Sequence, residues 1–160
     1  MYPKKNYTRK PVLGLGLSET EIQRRILTLL KTKYRELLPI LYRSNNIPVY
    51  DLKVERFRKL GTFAQKGLSD ITGVLKGGRA FYIEVKKTGQ IPKARPVIKR
   101  FEIVSKEKQR TIDQWDFIES VNKAGGLAFY ADSPNTADDI LQKIKCEIAA
   151  KRLAQEVLAL

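Results

Sequence analysis

Histidine is missing from all 160 residues, and cysteine, methionine and tryptophan occur once each. Without histidine there is no Ser-His-Asp or Cys-His nucleophilic site, no His-ligated zinc and no imidazole base. A lone Cys146 excludes an intrachain disulfide and fits a reducing compartment. No run approaches the ~18 apolar residues of a membrane span, and no helical stretch sets aromatic and leucine side chains opposite a purely basic face. The opening MYPKKNYTRK is basic but has no apolar h-region, so no secretory signal is expected. Acids are scarce too: 17 Asp+Glu face 31 Lys+Arg, a formal charge of +14. An excess of that size points to a polyanionic partner, and with membrane disfavoured, to nucleic acid. Hydrolytic chemistry in such a chain would have to run on carboxylates, lysines and a hard, oxygen-loving cation.

The 42% hydrophobic content over 160 residues suits one domain with a real core. Residues 1–16 are basic and punctuated by Gly and Pro, which reads as a flexible leader to a single domain over 17–160. SETE, from Ser18 to Glu21, has capping-box spacing. It predicts a helix whose Ile22, Ile26, Leu29, Leu30, Lys33 and Leu37 recur on one face up to Pro39. ILYRS (Ile40 to Ser44) reads as a strand stopped by Asn45, Asn46 and Pro48, while LKVERFRKL is ambiguous between strand and loop. SDITGVL and RAFYIEVKK, joined by a KGG turn, read as a hairpin. Residues 88–104 carry Gly89, Pro92 and Pro96 with Lys93, Arg95, Lys99 and Arg100 against one acid, Glu102, and predict an exposed basic loop. Ser105 can cap a helix with Ile112, Trp115, Ile118 and Val121 as its stripe, ended by AGG. LAFYADS is a last strand. TADD, from Thr136 to Asp139, predicts the start of a C-terminal helix over 136–160 with Ile140, Leu141, Ile144 and Ile148 inward. The expected class is α/β, a mixed central sheet flanked by helices.

The hairpin holds an anomaly. In FYIEVKK, Phe81, Ile83 and Val85 leave one face of a strand, and Tyr82, Glu84 and Lys86 leave the other. An acid and a base therefore sit together where a core strand has no need of them. Asp70, at the start of the preceding strand, can lie beside Glu84 across the hairpin, with the register set by the turn. Two neighbouring carboxylates repel, and a divalent metal is the cheapest neutralisation in water-accessible surroundings. The Lys86 ammonium can then hold an attacking water or stabilise charge developing on a phosphate. An E-x-K alone is a weak signal, because Glu and Lys alternate on many solvated strands.

SDITGVLKGGRAFYIEVKK resembles the D…ExK signature of the PD-(D/E)xK nuclease superfamily. SKEKQRTIDQWDFIESVNKAGGLAFYADS is similar to the continuation of that signature in the VRR-NUC branch. The resemblance runs from about Gly67 to Ser133. It implies a restriction-endonuclease-like αβββαβ core plus a C-terminal helix. It further implies Mg²⁺, with Mn²⁺ as a substitute, held by Asp70, Glu84 and the Val85 backbone carbonyl, with Lys86 positioning the water. Gln109 would approach from the second helix, and Glu21 would be the acid of the first, although Glu21 already has a capping-box role. Ser69 stands where the superfamily name has proline, and the basic insertion between Lys87 and Ser105 is unusual.

Stand-alone, phage-type proteins of this branch act as homodimers on branched DNA. The resemblance therefore implies a structure-selective, Holliday-junction-resolvase-like endonuclease in the cytoplasm, that of the host if phage-encoded. A flap- or nick-directed nuclease, or a basic DNA-binding protein without turnover, are the alternatives. Arg43, Lys87, Lys93, Arg95, Lys99 and Arg100 are the expected DNA contacts, while Trp115 reads as core rather than a stacking platform.

Overall fold

A computed structural model describes the chain over residues 16–44, 50–51, 56–57 and 68–158. Residues 1–15 of the basic N-terminal segment and the Asn45, Asn46 and Pro48 interruption lie outside the described residues.

Helix α1 spans Glu19–Lys33, with Ser18 as N-cap: its Oγ accepts the Glu21 amide at 3.2 Å, as the SETE spacing requires. The helix ends at Lys33, short of Pro39, because the chain turns at residues 34–37; the Tyr34 hydroxyl donates to the Asp138 carboxylate at 2.6 Å. Ile22, Ile26 and Leu30 are wholly buried, whereas Lys33 is exposed and bridges to Asp138.

Strands β1 (Ile40–Arg43), β4 (Ile71–Val74) and β5 (Ala80–Val85) form an antiparallel meander. Two-residue strands β2 (Tyr50–Asp51) and β3 (Arg56–Phe57) pair with each other in a separate ladder, and β3 lies inside the ambiguous LKVERFRKL stretch. Gly73 lets β1 and β4 close up: a Cβ there would meet the Ile40 carbonyl oxygen at 2.5 Å. The tip of the β4–β5 hairpin is tied down by Arg79, whose guanidinium donates to the Gly125 and Gly126 carbonyls at 2.6 and 2.8 Å.

Residues 88–104 contain no regular element, as expected for the basic loop. Ser105 then caps α2 (Lys106–Lys123) by accepting the Lys108 amide at 3.2 Å. Strand β6 (Leu127–Ala131) returns parallel to β5, completing a mixed sheet of order β1-β4-β5-β6. The return is parallel because α2 forms the crossover.

The last helix, α3, spans Pro134–Leu158 and starts two residues before the expected Thr136. Ser133, not Thr136, is its cap: the Ser133 Oγ accepts the Thr136 amide at 3.1 Å. Pro134 fits the first helical position because no intrahelical bond needs its missing N–H. Ala137 and Leu141 are buried and Ile144 packs against the core, but Ile148 is exposed rather than inward. At ~1.5 Å per residue α3 is about 37 Å long against about 22 Å for α1, and residues 145–150 are exposed.

The core joins α1 and α3 to one face of the sheet through Ile22, Ile26, Leu30, Leu141, Phe81, Ile83 and Val85. Each such aliphatic side chain contributes ~1.5–3 kcal/mol on burial. The other face, carrying Tyr82, Glu84 and Lys86, is covered by α2: the Tyr82 and Phe117 rings meet edge to face at 5.0 Å. The molecule is a mixed α/β protein with helices on both faces of a four-stranded sheet. Among the described residues no helix is long and apolar enough to cross a membrane.

Candidate functional site

The odd face of FYIEVKK is where the polar groups converge. Ile71 pairs with Ile83 in the β4–β5 ladder, which carries Asp70, one residue earlier, to the level of Glu84. Asp70 is fastened at both ends. Its carbonyl accepts the Gln23 side-chain amide at 3.1 Å and the Ser44 backbone amide at 2.8 Å. Its carboxylate Oδ2 accepts the Val85 backbone N–H at 2.9 Å, across the hairpin. Helix α1, the residue that follows β1, and strand β5 thus all hold the one aspartate.

Glu84 is 1% exposed. Its Oε1 accepts from the Lys86 ammonium at 3.0 Å and from the Gln114 side-chain amide, while its Oε2 is buried with no partner. Gln114 closes the triangle by accepting from Lys86 at 2.9 Å. A glutamine suits this position because one amide can donate to the carboxylate and accept from the ammonium at once. Burial pushes the Glu84 carboxyl from an ordinary 4.5 up to about 7, and the Asp70 charge adds to the rise against the opposing pull of Lys86 and Arg110. The two carboxyls are therefore close enough to feel each other.

Tyr130 pairs with Glu84 across the parallel β5–β6 ladder. Its ring lies 5.7 Å from the Lys86 ammonium and 5.8 Å from the Trp115 ring, and its buried hydroxyl has no partner. Burial and the Glu84 charge both raise its pKa. Trp115 is half-buried against this tyrosine, in keeping with a packing role.

A divalent cation fits the donor set. Mg²⁺ is usually held by one or two carboxylates and keeps several waters, and the two acids here come with a buried carboxylate oxygen that nothing else satisfies. Asp70 and Glu84 would hold it, and the Val85 backbone carbonyl is the third donor that the resemblance implies. No cluster of three His, Cys, Asp or Glu side chains occurs among the described residues, so waters would complete the shell.

Two expected participants stand apart from this cluster. Gln109 is exposed and donates to Asp113 at 2.8 Å. Five residues on, at ~100° per residue, Gln114 is rotated about 140° from it and faces the sheet. Glu21 is held by Arg24 at 2.8 Å and Arg25 at 3.0 Å, and these guanidinium groups pull its carboxyl down to about 2. From α1 it is Gln23 that reaches the Asp70 segment.

The expected DNA contacts divide similarly. Arg43 ends β1 opposite Ile71, next to Asp70, and exposed Lys87 follows Lys86. Lys93, Lys99 and Arg100 are exposed on the loop, but Arg95 is bound to Asp116 at 2.6 and 3.0 Å.

Sequence reasoning missed Gln23, Gln114 and Arg110. The signal was available for the glutamines. Gln23 is three residues before Ile26 and seven before Leu30, and Gln114 is four before Ile118 and seven before Val121, so each is a polar residue on an apolar stripe. Arg110 is one turn before Gln114, and nothing in the sequence separates it from the other surface cations.

Comparison with known proteins found no matching family model, no matching curated protein and no matching solved structure.

Proposed function

We propose that the protein is a Mg²⁺-dependent, structure-selective DNA endonuclease with a restriction-endonuclease-like αβββαβ core of the PD-(D/E)xK type. The observation that carries the reading is the convergence of Asp70, Glu84 and Lys86 at one point of the β4–β5 hairpin, with Glu84 buried and its Oε2 unsatisfied. A buried carboxylate oxygen without a partner beside a second acid costs about 1–3 kcal/mol or more, a cost that a bound divalent cation would offset. With the two-residue β2–β3 ladder set apart, the order of helix, three antiparallel strands, helix and parallel strand agrees with the proposed core. The formal charge of +14 and the absence of histidine agree with phosphodiester chemistry run on carboxylates and lysine.

A Mg²⁺ ion held by Asp70 and Glu84 would supply phosphate polarisation and an acidified water. The chain's own residues do the rest. Lys86 presents a fixed ammonium to the nucleophile or to the developing negative charge. Gln114 fixes where that ammonium points. Arg110, Arg43 and Lys87 set a positive field around the site, favourable to a phosphate backbone of any sequence. Contacts of this kind follow backbone shape, hence structure-selective cleavage of branched DNA such as four-way junctions. A homodimer would place two such sites for paired cuts in opposite strands.

Purified protein should cleave at least one of junction, flap and nicked DNA when Mg²⁺ or Mn²⁺ is added, and Glu84→Gln should bind the same DNA without cutting it. A wild type that leaves every substrate whole with either metal, yet binds DNA, would mark a binding protein without turnover.

A further inference from the structure

The basic loop presents apolar side chains to water where a merely solvated loop would present polar ones. Phe101 is 92% exposed and Ile103 96%, with Val97 at 74% close by in sequence. Phe101 also has a backbone φ of 68°, the only positive value at a non-glycine among the described residues. An aromatic residue rarely adopts that conformation. It is held there by a closed turn: the Glu102 amide donates to the Lys99 carbonyl at 3.0 Å, and the Glu102 carboxylate accepts the Lys99 amide at 2.9 Å. The Lys108 ammonium binds the other carboxylate oxygen at 2.6 Å, which anchors the turn to α2, the helix that carries Gln114. The Arg100 guanidinium lies 5.2 Å from the Phe101 ring centre. The turn therefore holds a ring outward with cations beside it.

Charge decides which occupant fits. The loop has four cations and one acid, and that acid, Glu102, is already bound by Lys108. A second copy of a chain with formal charge +14 would bring like charge to the tip, whereas a polyanion gains from the cations. Among polyanions, nucleic acid alone offers flat π-faces to an exposed ring, and it offers them freely where bases are unstacked.

We propose that Phe101 is a base-stacking element that engages an unpaired or branch-point nucleotide of DNA while Lys99 and Arg100 hold its flanking phosphates. The inference rests on the proposed nuclease reading for its ligand and deepens it by naming what makes the substrate selective: an accessible base rather than duplex alone.

Binding is read by fluorescence anisotropy in chelator, so that no cleavage intervenes, on a blunt duplex and on the same duplex bearing a single-stranded flap. Phe101→Ala should bind the flapped DNA roughly 5- to 150-fold more weakly, change blunt-duplex binding by less than about twofold, and leave the melting temperature unaltered. Phe101→Trp should restore flap affinity. Equal binding of both DNAs by wild type and Phe101→Ala would overturn the inference, as would conversion of a dimer to a monomer by Phe101→Ala in sedimentation, which would assign the tip to self-association. These outcomes are separable from failure of the nuclease reading, which is judged by metal-dependent cleavage alone.

Discussion

Replacing Glu84 by glutamine should stabilise the metal-free fold at mildly alkaline pH and abolish the proposed cleavage. Burial raises the Glu84 carboxyl from 4.5 to about 7. At ~1.4 kcal/mol per pKa unit, this corresponds to about 3 kcal/mol between the folded and unfolded states. Below the unfolded value both states hold the proton and the protein is at its most stable with respect to this group. As pH rises towards 7 the unfolded chain releases the proton that the folded chain retains, so stability falls; above the folded value it is flat. Few other groups interfere, because the chain has no histidine to titrate in this window. The carboxyls lowered by their partners, among them Asp116 beside Arg95 and Asp138 beside Lys33, act with the opposite sign and only at more acidic pH. Urea unfolding in chelator should therefore show wild type losing about 2–3 kcal/mol between about pH 5 and pH 8, a fall of roughly 5–10 °C in melting temperature. Glu84→Gln should lack this slope and exceed wild type by roughly 1–3 kcal/mol at the upper end, less what Lys86 loses with its carboxylate partner. Added Mg²⁺ should restore wild type and leave the variant unmoved. A flat wild-type profile, or the same slope in both proteins, would refute the placement of a buried carboxyl whose desolvation outweighs its contacts with Lys86 and Gln114.

Other consequences are readable with simple substitutions. Gln114→Ala frees Lys86 and should lower single-turnover cleavage about 10- to 100-fold, as loss of a residue supporting a metal ligand does; Gln109→Ala should stay within about twofold, since that exposed side chain bonds Asp113 on its own helix. Gly73→Ala drives a Cβ into the Ile40 carbonyl at 2.5 Å, and calorimetry should register a loss of about 1–3 kcal/mol; an unmoved transition would mean that β1 can retreat freely. Neutralising Lys93, Arg95, Lys99 and Arg100 together should weaken DNA binding and flatten its salt dependence. The Arg95–Asp116 pair suggests a drop in slope of roughly two to three rather than four, and an unchanged slope would assign these charges to solvent.

The two carboxylates and the lysine were visible because strand geometry is short-range. Period-two alternation places Glu84 and Lys86 on one face whatever the rest of the chain does, whereas the turn fixes the register of Asp70 only loosely in sequence, and it is the Ile71–Ile83 pairing that brings it level with Glu84. The helix starts at Ser18 and Ser105 were legible for the same reason, a hydroxyl answering an amide three residues on. The third start misled because Ser133 and Thr136 offer the same chemistry three residues apart, and Pro134 favours the earlier one. Gln109 was expected from the resemblance alone, and the residue that meets Glu84 from α2 is Gln114, on the side of the helix that also brings Phe117 to Tyr82.

What the sequence determines by itself is local: charge excess, absence of imidazole, the period of each element, its caps, and the pairing of an acid with a base on one strand face. Tertiary structure alone decided that Glu84 is buried with one oxygen unanswered, that Gln114 and Gln23 rather than Gln109 and Glu21 reach the site, and that Phe101 projects into water. The physical reason is that burial and partner choice depend on how helices rotate and dock against the sheet. Residues 30 or 47 apart meet only once that packing is made, and no spacing rule along the chain encodes it.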